Sequence, residues 1–340
     1  MPTEQYLELA AVDQKEVLAT AAQASGRDEN TLEKDVWVVW ALSVLFENEI
    51  GQHLSFKGGT SLSKAYRAID RFSEDIDLTY DIRSIIPEMA GHGDGLPPSR
   101  SQSQKWTEKV RERLPQWIAD TVSPLLQASI KEQGLTATLK QETKERLFID
   151  YRPGLFDEGG YVRSEIMLEF GARSTGEPTE VHEVACDAAA YVPEVAFPVA
   201  RPRVMKVERT FWEKATAAHV YCAQEQLKGE RFARHWHDLA ALAQTEFLNS
   251  ALQDKEVAAT VANHKAMFFR EKALDGTVVD YKAAVTGSLR LVPNGDARLA
   301  LEKDYAAMTT AGMFYSEPRP FSEILAVCSE IEARANANST

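Results

Sequence analysis

The chain has 340 residues, 44% of them hydrophobic and 26% charged, with a formal net charge of −13. That composition fits a globular protein of one or two domains. The acidic balance argues against a surface that coats nucleic acid, because such affinity comes largely from neutralised phosphates. No apolar run approaches membrane length, and the start of the chain lacks the basic-then-apolar layout of a signal peptide. Cys186, Cys222 and Cys328 lie far apart and are odd in number. They read as reduced thiols of a cytoplasmic protein.

In chain order, residues 3–24 carry apolar positions at helical spacing, closed by Gly26. Asp28 or Asn30 then caps a second helix, Thr31 to Asn48, whose Trp37, Val38, Trp40, Leu42, Leu45 and Phe46 form a face to pack under a sheet. A short strand, Leu54 to Phe56, leads through a Gly58-Gly59 turn into a helix from Thr60 to Ala68. A second strand is expected over Ser73 to Tyr80. The Gly, Pro and Ser-rich run after Gly91 reads as a mobile loop. A helical stretch over 104–133 is expected to break at Pro115 and Pro124. Three strand-like segments follow, Leu135 to Lys140, Arg146 to Tyr151 and Tyr161 to Phe170, the last two as a hairpin across a turn-rich run from Pro153 to Gly160. Phe197 to Met205, with two prolines, suits an edge strand or a linker. Beyond it the pattern is helical, over 207–226, 234–247, 251–263, 266–274, 296–311 and 320–335. The expected fold class is therefore α+β, a small mixed sheet flanked by helices with a mostly helical C-terminal part. The composition shift near residue 200 suggests domains over 1–200 and 201–340.

The residues that can carry chemistry begin at the glycine pair. Gly58 and Gly59 permit positive φ and let main-chain N–H groups approach an anion. Lys57, Thr60, Ser61, Ser63 and Lys64 add hydroxyls and positive charge around them. The spacing is not that of a P-loop. Next come Asp75 and Asp77. On a strand their side chains share one face while Ile76 and Leu78 take the other, and two converging carboxylates suit a hard divalent cation. Two like charges so placed are unfavourable without a counter-cation. A third acid would complete the set. Glu169 lies inside the apolar run Ile166-Met-Leu-Glu-Phe170, and Glu165 competes with it on the same face.

Two further motifs lie in the helical part. Thr210-Phe-Trp-Glu-Lys214 presents a lysine, and Lys206 shares its helix face if the helix extends that far. With Arg201, Arg203 and Arg209 this segment is a candidate basic patch, as is the stretch holding Lys105, Lys109, Arg111 and Arg113. In Arg234-His-Trp-His-Asp238, Arg234 and Asp238 are four apart and an ordinary ion pair is open to them. His235 and His237 diverge on a helix and do not suggest zinc.

Taken together, Phe56-Lys-Gly-Gly-Thr-Ser-Leu-Ser-Lys64, Arg71-Phe-Ser-Glu-Asp-Ile-Asp-Leu78, Thr210 to Lys214 and Arg234 to Leu239 resemble, in order, the AbiEii/AbiGii toxin family. These are nucleotidyltransferase-like toxins within the DNA polymerase β-like superfamily. The resemblance spans about residues 30–245. It implies a nucleotidyltransferase core, with Asp75, Asp77 and Glu169 holding Mg²⁺ (or Mn²⁺), and Ser73 beside them. It implies Lys57 and the Gly58 to Lys64 turn on the nucleotide, and Lys214 and Asp238 as catalytic residues pointing into a shared cleft. It further implies an NTP substrate, an RNA acceptor such as the tRNA 3′ end, and a cognate antitoxin as partner. Transfer to a protein hydroxyl, a non-catalytic nucleotide-binding partner protein, and an Mn²⁺-dependent glycosyltransferase using the Asp-x-Asp are the alternatives.

Overall fold

The computed structural model describes residues 4–156, 163–225 and 231–337. The chain divides into two compact units. The first gathers residues 1–65, 74–95 and 106–204, and the second gathers 66–73, 96–105 and 205–340.

The first unit opens with the short strand β1 (Glu4–Gln5) and helix α1 (Ala11–Ser25), which stops at Gly26 in the left-handed region. Helix α2 (Glu29–Phe46) is capped by Asp28, whose carboxylate accepts from the Asn30 and Thr31 N–H groups. Its body is almost wholly buried, and Trp40 donates from Nε1 to Gln133 at 3.0 Å. Strand β2 (Leu54–Lys57) runs straight into α3 (Gly58–Lys64). Both glycines thus form the first turn of the helix, not a loop ahead of it, and the helix ends at Lys64, not Ala68.

Strand β3 (Ile76–Tyr80) starts later than expected, so Asp77 lies on it and Asp75 lies just ahead of it. After the single turns α4 (Ile82–Ile85) and α5 (Pro87–Ala90), helix α6 (Arg100–Trp117) continues past Pro115. A proline there cannot donate to the carbonyl four residues back. The wider π turns over Ile118–Val122 follow at once and run without a gap into α7 (Ser123–Glu132), which carries Pro124 in its first turn. The prolines are absorbed by a change of helix type instead of a break.

Strands β4 (Thr138–Gln141), β5 (Arg146–Asp150) and β6 (Glu165–Gly171) come next. The expected start of the last strand at Tyr161, and the turn residues 157–160, lie outside the described residues. Then follow β7 (Thr179–Val181), β8 (Val184–Ala185), β9 (Val195–Ala196), β10 (Val199–Ala200) and β11 (Arg203–Met205). Seven strands form one mixed sheet in the order β4-β5-β6-β3-β2-β11-β7. Strand β3 is antiparallel to β2 and parallel to β6, and β5 and β6 form the expected antiparallel pair. Period-two alternation divides the central strands between two faces. Ile76, Leu78, Ile166, Leu168 and Phe170 are buried, with Trp117 of α6 stacked on Tyr80 at 4.0 Å and set edge-on to Phe170. The opposite face carries Lys57, Asp77, Glu165 and Glu169.

The second unit is built from α8 (Val207–Gln224), α9 (Ala233–Leu242), α10 (Phe247–Gln253), α11 (Lys255–Phe268), α12 (Tyr281–Val285), α13 (Gly295–Thr310) and α14 (Phe321–Ala337). Its two largest core residues donate from their indole N–H groups, Trp212 to the Ala251 carbonyl of α10 and Trp236 to the Leu291 carbonyl in the stretch between α12 and α13. The expected helix over 266–274 is cut short. Asp275-Gly276 makes a turn, with Gly276 at φ +81°, and Lys272 bridges Val278 across it. Residue 226, the expected end of α8, lies outside the described residues. All three cysteines are free and buried.

Candidate active site

Sheet register brings the sequence-predicted acids together. Asp77 of β3 stands opposite Glu169 of β6 on one side and opposite Lys57 of β2 on the other, while Arg146 of β5 stands opposite Glu169. Residues opposite each other in register share a face, so one row reads Lys57, Asp77, Glu169, Arg146 across four strands. Glu165 lies four residues back along β6, about 13 Å away at the usual strand rise, and its register partner is Asp150. The row therefore selects Glu169 over Glu165 as the neighbour of Asp77.

Two adjacent carboxylates in such a row repel. Glu169 answers by turning to Arg146, whose Nε donates to its Oε2 at 2.9 Å, in a half-exposed pair. Asp77 has no cation within ion-pair distance among the described residues. Its carboxylate instead lies over Gly58. A Cβ built on Gly58 would stand 2.0 Å from Asp77 Oδ2, and Gly58 has φ +81°. Only glycine satisfies both the backbone conformation and the space.

Helix α3 carries the remaining expected nucleotide-binding residues, and here the structure corrects the expectation. Thr60 and Ser61 are fully buried. The Thr60 hydroxyl donates to the Asp75 carbonyl, Ser61 Oγ to the Gly58 carbonyl at 3.0 Å, and Ser63 Oγ to the Thr60 carbonyl at 3.2 Å. These donors are spent within the fold, and what α3 offers an anion is its first-turn main-chain N–H groups, which have no acceptor inside the helix. Lys64 is likewise committed. Its ammonium lies 2.6 Å from both Asp35 and Asp187, and its side chain is 8% exposed. Burial lowers its pKa, but the two carboxylates outweigh this and hold it above the ordinary lysine value. Ser73 belongs to the segment that precedes Asp75 by two residues, at the border of the two units in sequence.

The second unit holds its own buried charge cluster. Arg71 grips Asp238 with two parallel bonds, Nε to Oδ1 at 2.7 Å and Nη2 to Oδ2 at 2.8 Å, and its third nitrogen donates to the Phe72 carbonyl. Lys214 Nζ adds a contact to Asp238 Oδ2 at 2.8 Å. The segment carrying Arg71 is held by an antiparallel bridge from Arg71 to Phe314 and by the Phe72 N–H on the Met313 carbonyl. Burial pushes the Asp238 pKa up, but Arg71 and Lys214 hold it well below the carboxylate range. Burial lowers the Lys214 pKa, with Asp238 opposing and Arg71 adding to the fall.

The basic patch expected around residues 201–214 dissolves on inspection. Helix α8 starts at Val207, so Lys206 is its extended cap and shares no helix face with Lys214. Arg201 pairs with Glu183, Arg203 bonds the Gln52 carbonyl and Thr179, and buried Arg209 pairs with Glu213. In the other segment Lys109 pairs with Glu112 and Arg113 with Glu88.

Sequence reasoning gave no role to Lys34 and Asp35, which pair with Glu74 and Lys64, or to Arg71, which pairs with Asp238. The signal for the first two was a run of three charges, Glu33-Lys34-Asp35, lying directly between Leu32 and the apolar body of the helix from Val36 on.

A divalent cation is the group this row of acids invites. The donors are of the right kind, hard carboxylate oxygens on β3, just ahead of it and on neighbouring β6, with Asp77 paired to no cation among the described residues. As the side chains stand, no three acidic, histidine or cysteine groups among the described residues are gathered closely enough to hold an ion. The reason is local, since Glu169 is turned to Arg146. A half-exposed pair of that kind is worth about 0–1 kcal/mol, so a carboxylate swing toward Asp77 is cheap. The residues fit.

Comparison with known proteins adds the following. A family model described as nucleotidyl transferase AbiEii toxin, type IV toxin–antitoxin system, matches residues 40–327. Comparison with curated proteins gives no match. Among solved structures, MenT4, a nucleotidyltransferase toxin from Mycobacterium tuberculosis H37Rv, is similar at 16% identity and a TM-score of 0.47, over 94% of this chain and 89% of that one.

Proposed function

Because the chain belongs to the AbiEii family of nucleotidyltransferase toxins of type IV toxin–antitoxin systems, we propose that it transfers a nucleoside monophosphate from an NTP to an RNA acceptor, the tRNA 3′ end, and so blocks translation. A family of this kind implies an antitoxin counterpart, and no described helix is long and apolar enough to cross a membrane. The observation that carries the reading is the row in which Asp77 stands beside Glu169, with the Asp77 carboxylate over a glycine that has room for nothing larger.

In this reading Asp75, Asp77 and a Glu169 released from Arg146 would hold Mg²⁺. The bound metal would lower the acceptor hydroxyl's pKa and stabilise charge on the attacking and leaving oxygens. The first-turn N–H groups of α3 receive the nucleotide's phosphates, a role that backbone donors fill well. Gly58 keeps the approach to Asp77 Oδ2 open. Lys214 neutralises charge as pyrophosphate leaves. Asp238, fully buried and bound by two cations, serves by holding Lys214 and Arg71 in place.

The test is direct. Purified protein is incubated with labelled NTPs, Mg²⁺ and either total tRNA or cell extract, and tRNA 3′ ends are sequenced after the protein is induced in cells. Label in tRNA with extended 3′ ends is the expected result. Label in protein alone overturns the RNA acceptor, and full toxicity of the Asp75→Ala/Asp77→Ala double variant overturns catalysis itself.

A further inference from the structure

Helix α2 buries three consecutive charged residues, Glu33 at 4%, Lys34 at 3% and Asp35 at 7% exposure. Neighbours on a helix point about 100° apart, so Lys34 and Asp35 reach different targets. Lys34 Nζ pairs with the Glu74 carboxylate and donates to the Arg163 carbonyl at 3.2 Å. Asp35 Oδ1 lies 2.6 Å from Lys64 Nζ, and its Oδ2 accepts from the Asp187 N–H at 2.6 Å. Asp187 closes the network by binding Lys64 as well as Arg27.

The targets are informative. Lys64 is the last residue of α3, the helix that Gly58 begins. Glu74 is the residue immediately before Asp75. A third tie, from the Thr60 hydroxyl to the Asp75 carbonyl, joins the two elements directly. One turn of α2 therefore ties down both segments that carry the Gly58–Asp77 contact, through Lys64 at the end of α3 and Glu74 ahead of β3. We infer that Lys34 and Asp35 are positioning residues that hold α3 and the Glu74–Asp77 segment at fixed separation, keeping the Asp77 carboxylate seated over Gly58.

The energetics favour this over a purely stabilising part. Taking two charges out of water is costly, and well-packed apolar residues in their place commonly leave a fold no less stable. What an apolar pair cannot supply is a contact fixed in length and direction, and a misplacement of about 1 Å at a reacting centre can cost on the order of 100-fold in rate. The inference rests on the reading that the Asp77 face is the nucleotidyl-transfer site, and its test separates the two.

The variants are Asp35→Leu/Lys64→Met, with Asp35→Glu as the milder change that lengthens the pair by one methylene, and Asp77→Asn as the control for the site. Three quantities are measured on full-length protein: thermal midpoint, amide hydrogen exchange over 57–65 and 74–80, and kcat and KM for transfer from labelled NTPs to total cell RNA. The expected result is a folded double variant with exchange faster in those two segments alone. Its kcat should fall at least about tenfold while KM for NTP stays near wild type. A role in stability only would lower the midpoint and speed exchange throughout the unit, with no selective loss of kcat. That result overturns the inference, as does unchanged exchange in both segments. Should the double variant fail to fold, Asp35→Glu is read by the same criteria. If Asp77→Asn keeps wild-type transfer, the site reading fails, and the exchange pattern alone then decides whether α2 positions the segment.

Discussion

The carboxylate of Asp77 rests against the backbone of Gly58, so closely that a Cβ on the glycine would fall 2.0 Å from Oδ2. A turn and a strand that read in the sequence as neighbouring motifs are in contact, and the contact tolerates no side chain at one of its members.

Gly58→Ala should therefore remove nucleotidyl transfer. The left-handed φ and the collision together predict a loss of about 1–3 kcal/mol of stability, as expected for a non-glycine residue in a strained conformation. Transfer should fall much further than the folded fraction, because Asp77 must move. Label transfer measured beside a thermal melt checks this, and a stable variant with wild-type transfer contradicts it.

Arg146 and Glu169 make the opposite prediction. Their half-exposed pair should contribute no more than about 1 kcal/mol, so Arg146→Ala should melt near the wild-type temperature. With its carboxylate released toward Asp77, the variant should bind Mn²⁺ at least as tightly as wild type by titration calorimetry. Glu169→Gln should weaken the same binding. Tighter binding by Glu169→Gln would exclude Glu169 from the metal set.

In the second unit, Asp238→Asn should destabilise by about 3–5 kcal/mol, because it removes the buried carboxylate charge that Arg71 and Lys214 share. Lys214→Met keeps the two-bond Arg71–Asp238 pair and should be far milder in a denaturant melt. The lysine is therefore the better variant for testing catalysis. Loss of activity in Asp238→Asn alone would reflect the fold as much as the chemistry.

Glu33 sets one pH dependence. Burial raises its pKa from 4.5 to about 7, with the Leu155 N–H on Oε1 pulling the other way. The fold thus prefers the protonated acid, while the unfolded chain loses that proton near 4.5. Its contribution to stability is full below about 4.5 and fades as the pH rises to about 7. Glu33→Gln keeps the acceptor for Leu155 and should flatten that part of the stability profile, as read by urea midpoints across the range.

His237 sets another. Both of its ring nitrogens are buried without a hydrogen-bond partner among the described residues, and the ring lies 4.8 Å from that of Phe314. Burial holds its pKa at about 4, below the ordinary 6.5, with Asp238 opposing in part. The unfolded chain takes up a proton first, so the stability tied to neutral His237 is present above 6.5 and lost as the pH falls toward 4. His237→Phe should raise stability at neutral pH by about 1 kcal/mol, the order of an unmet buried polar group, and should reduce the loss in acid.

By itself the sequence determined the short-range features. Alternation along Ile76 to Leu78 was enough to set Asp77 apart from the apolar face, and Glu169 stood out as an acid within an apolar run. The glycine pair and the order of the four motifs pointed to nucleotidyl transfer. These are local signals, carried by residues within a few positions of one another and by periods of 2 and 3.6.

The tertiary structure decided which charges meet. Register chose Glu169 over Glu165, by pairing two strands more than eighty residues apart in the chain. Arg71 and Asp238 are 167 residues apart and Lys64 and Asp187 are 123 apart, and no local pattern could have matched them. The same long reach withdrew Lys64 and the hydroxyls of α3 from the roles their composition suggested. A hydroxyl or an ammonium is a donor in any sequence, but whether it faces a substrate or a buried carbonyl depends on what the rest of the chain brings to it. Burial is the physical reason. Once water is excluded each polar group must find a partner inside the fold, and only the folded chain assigns the partners.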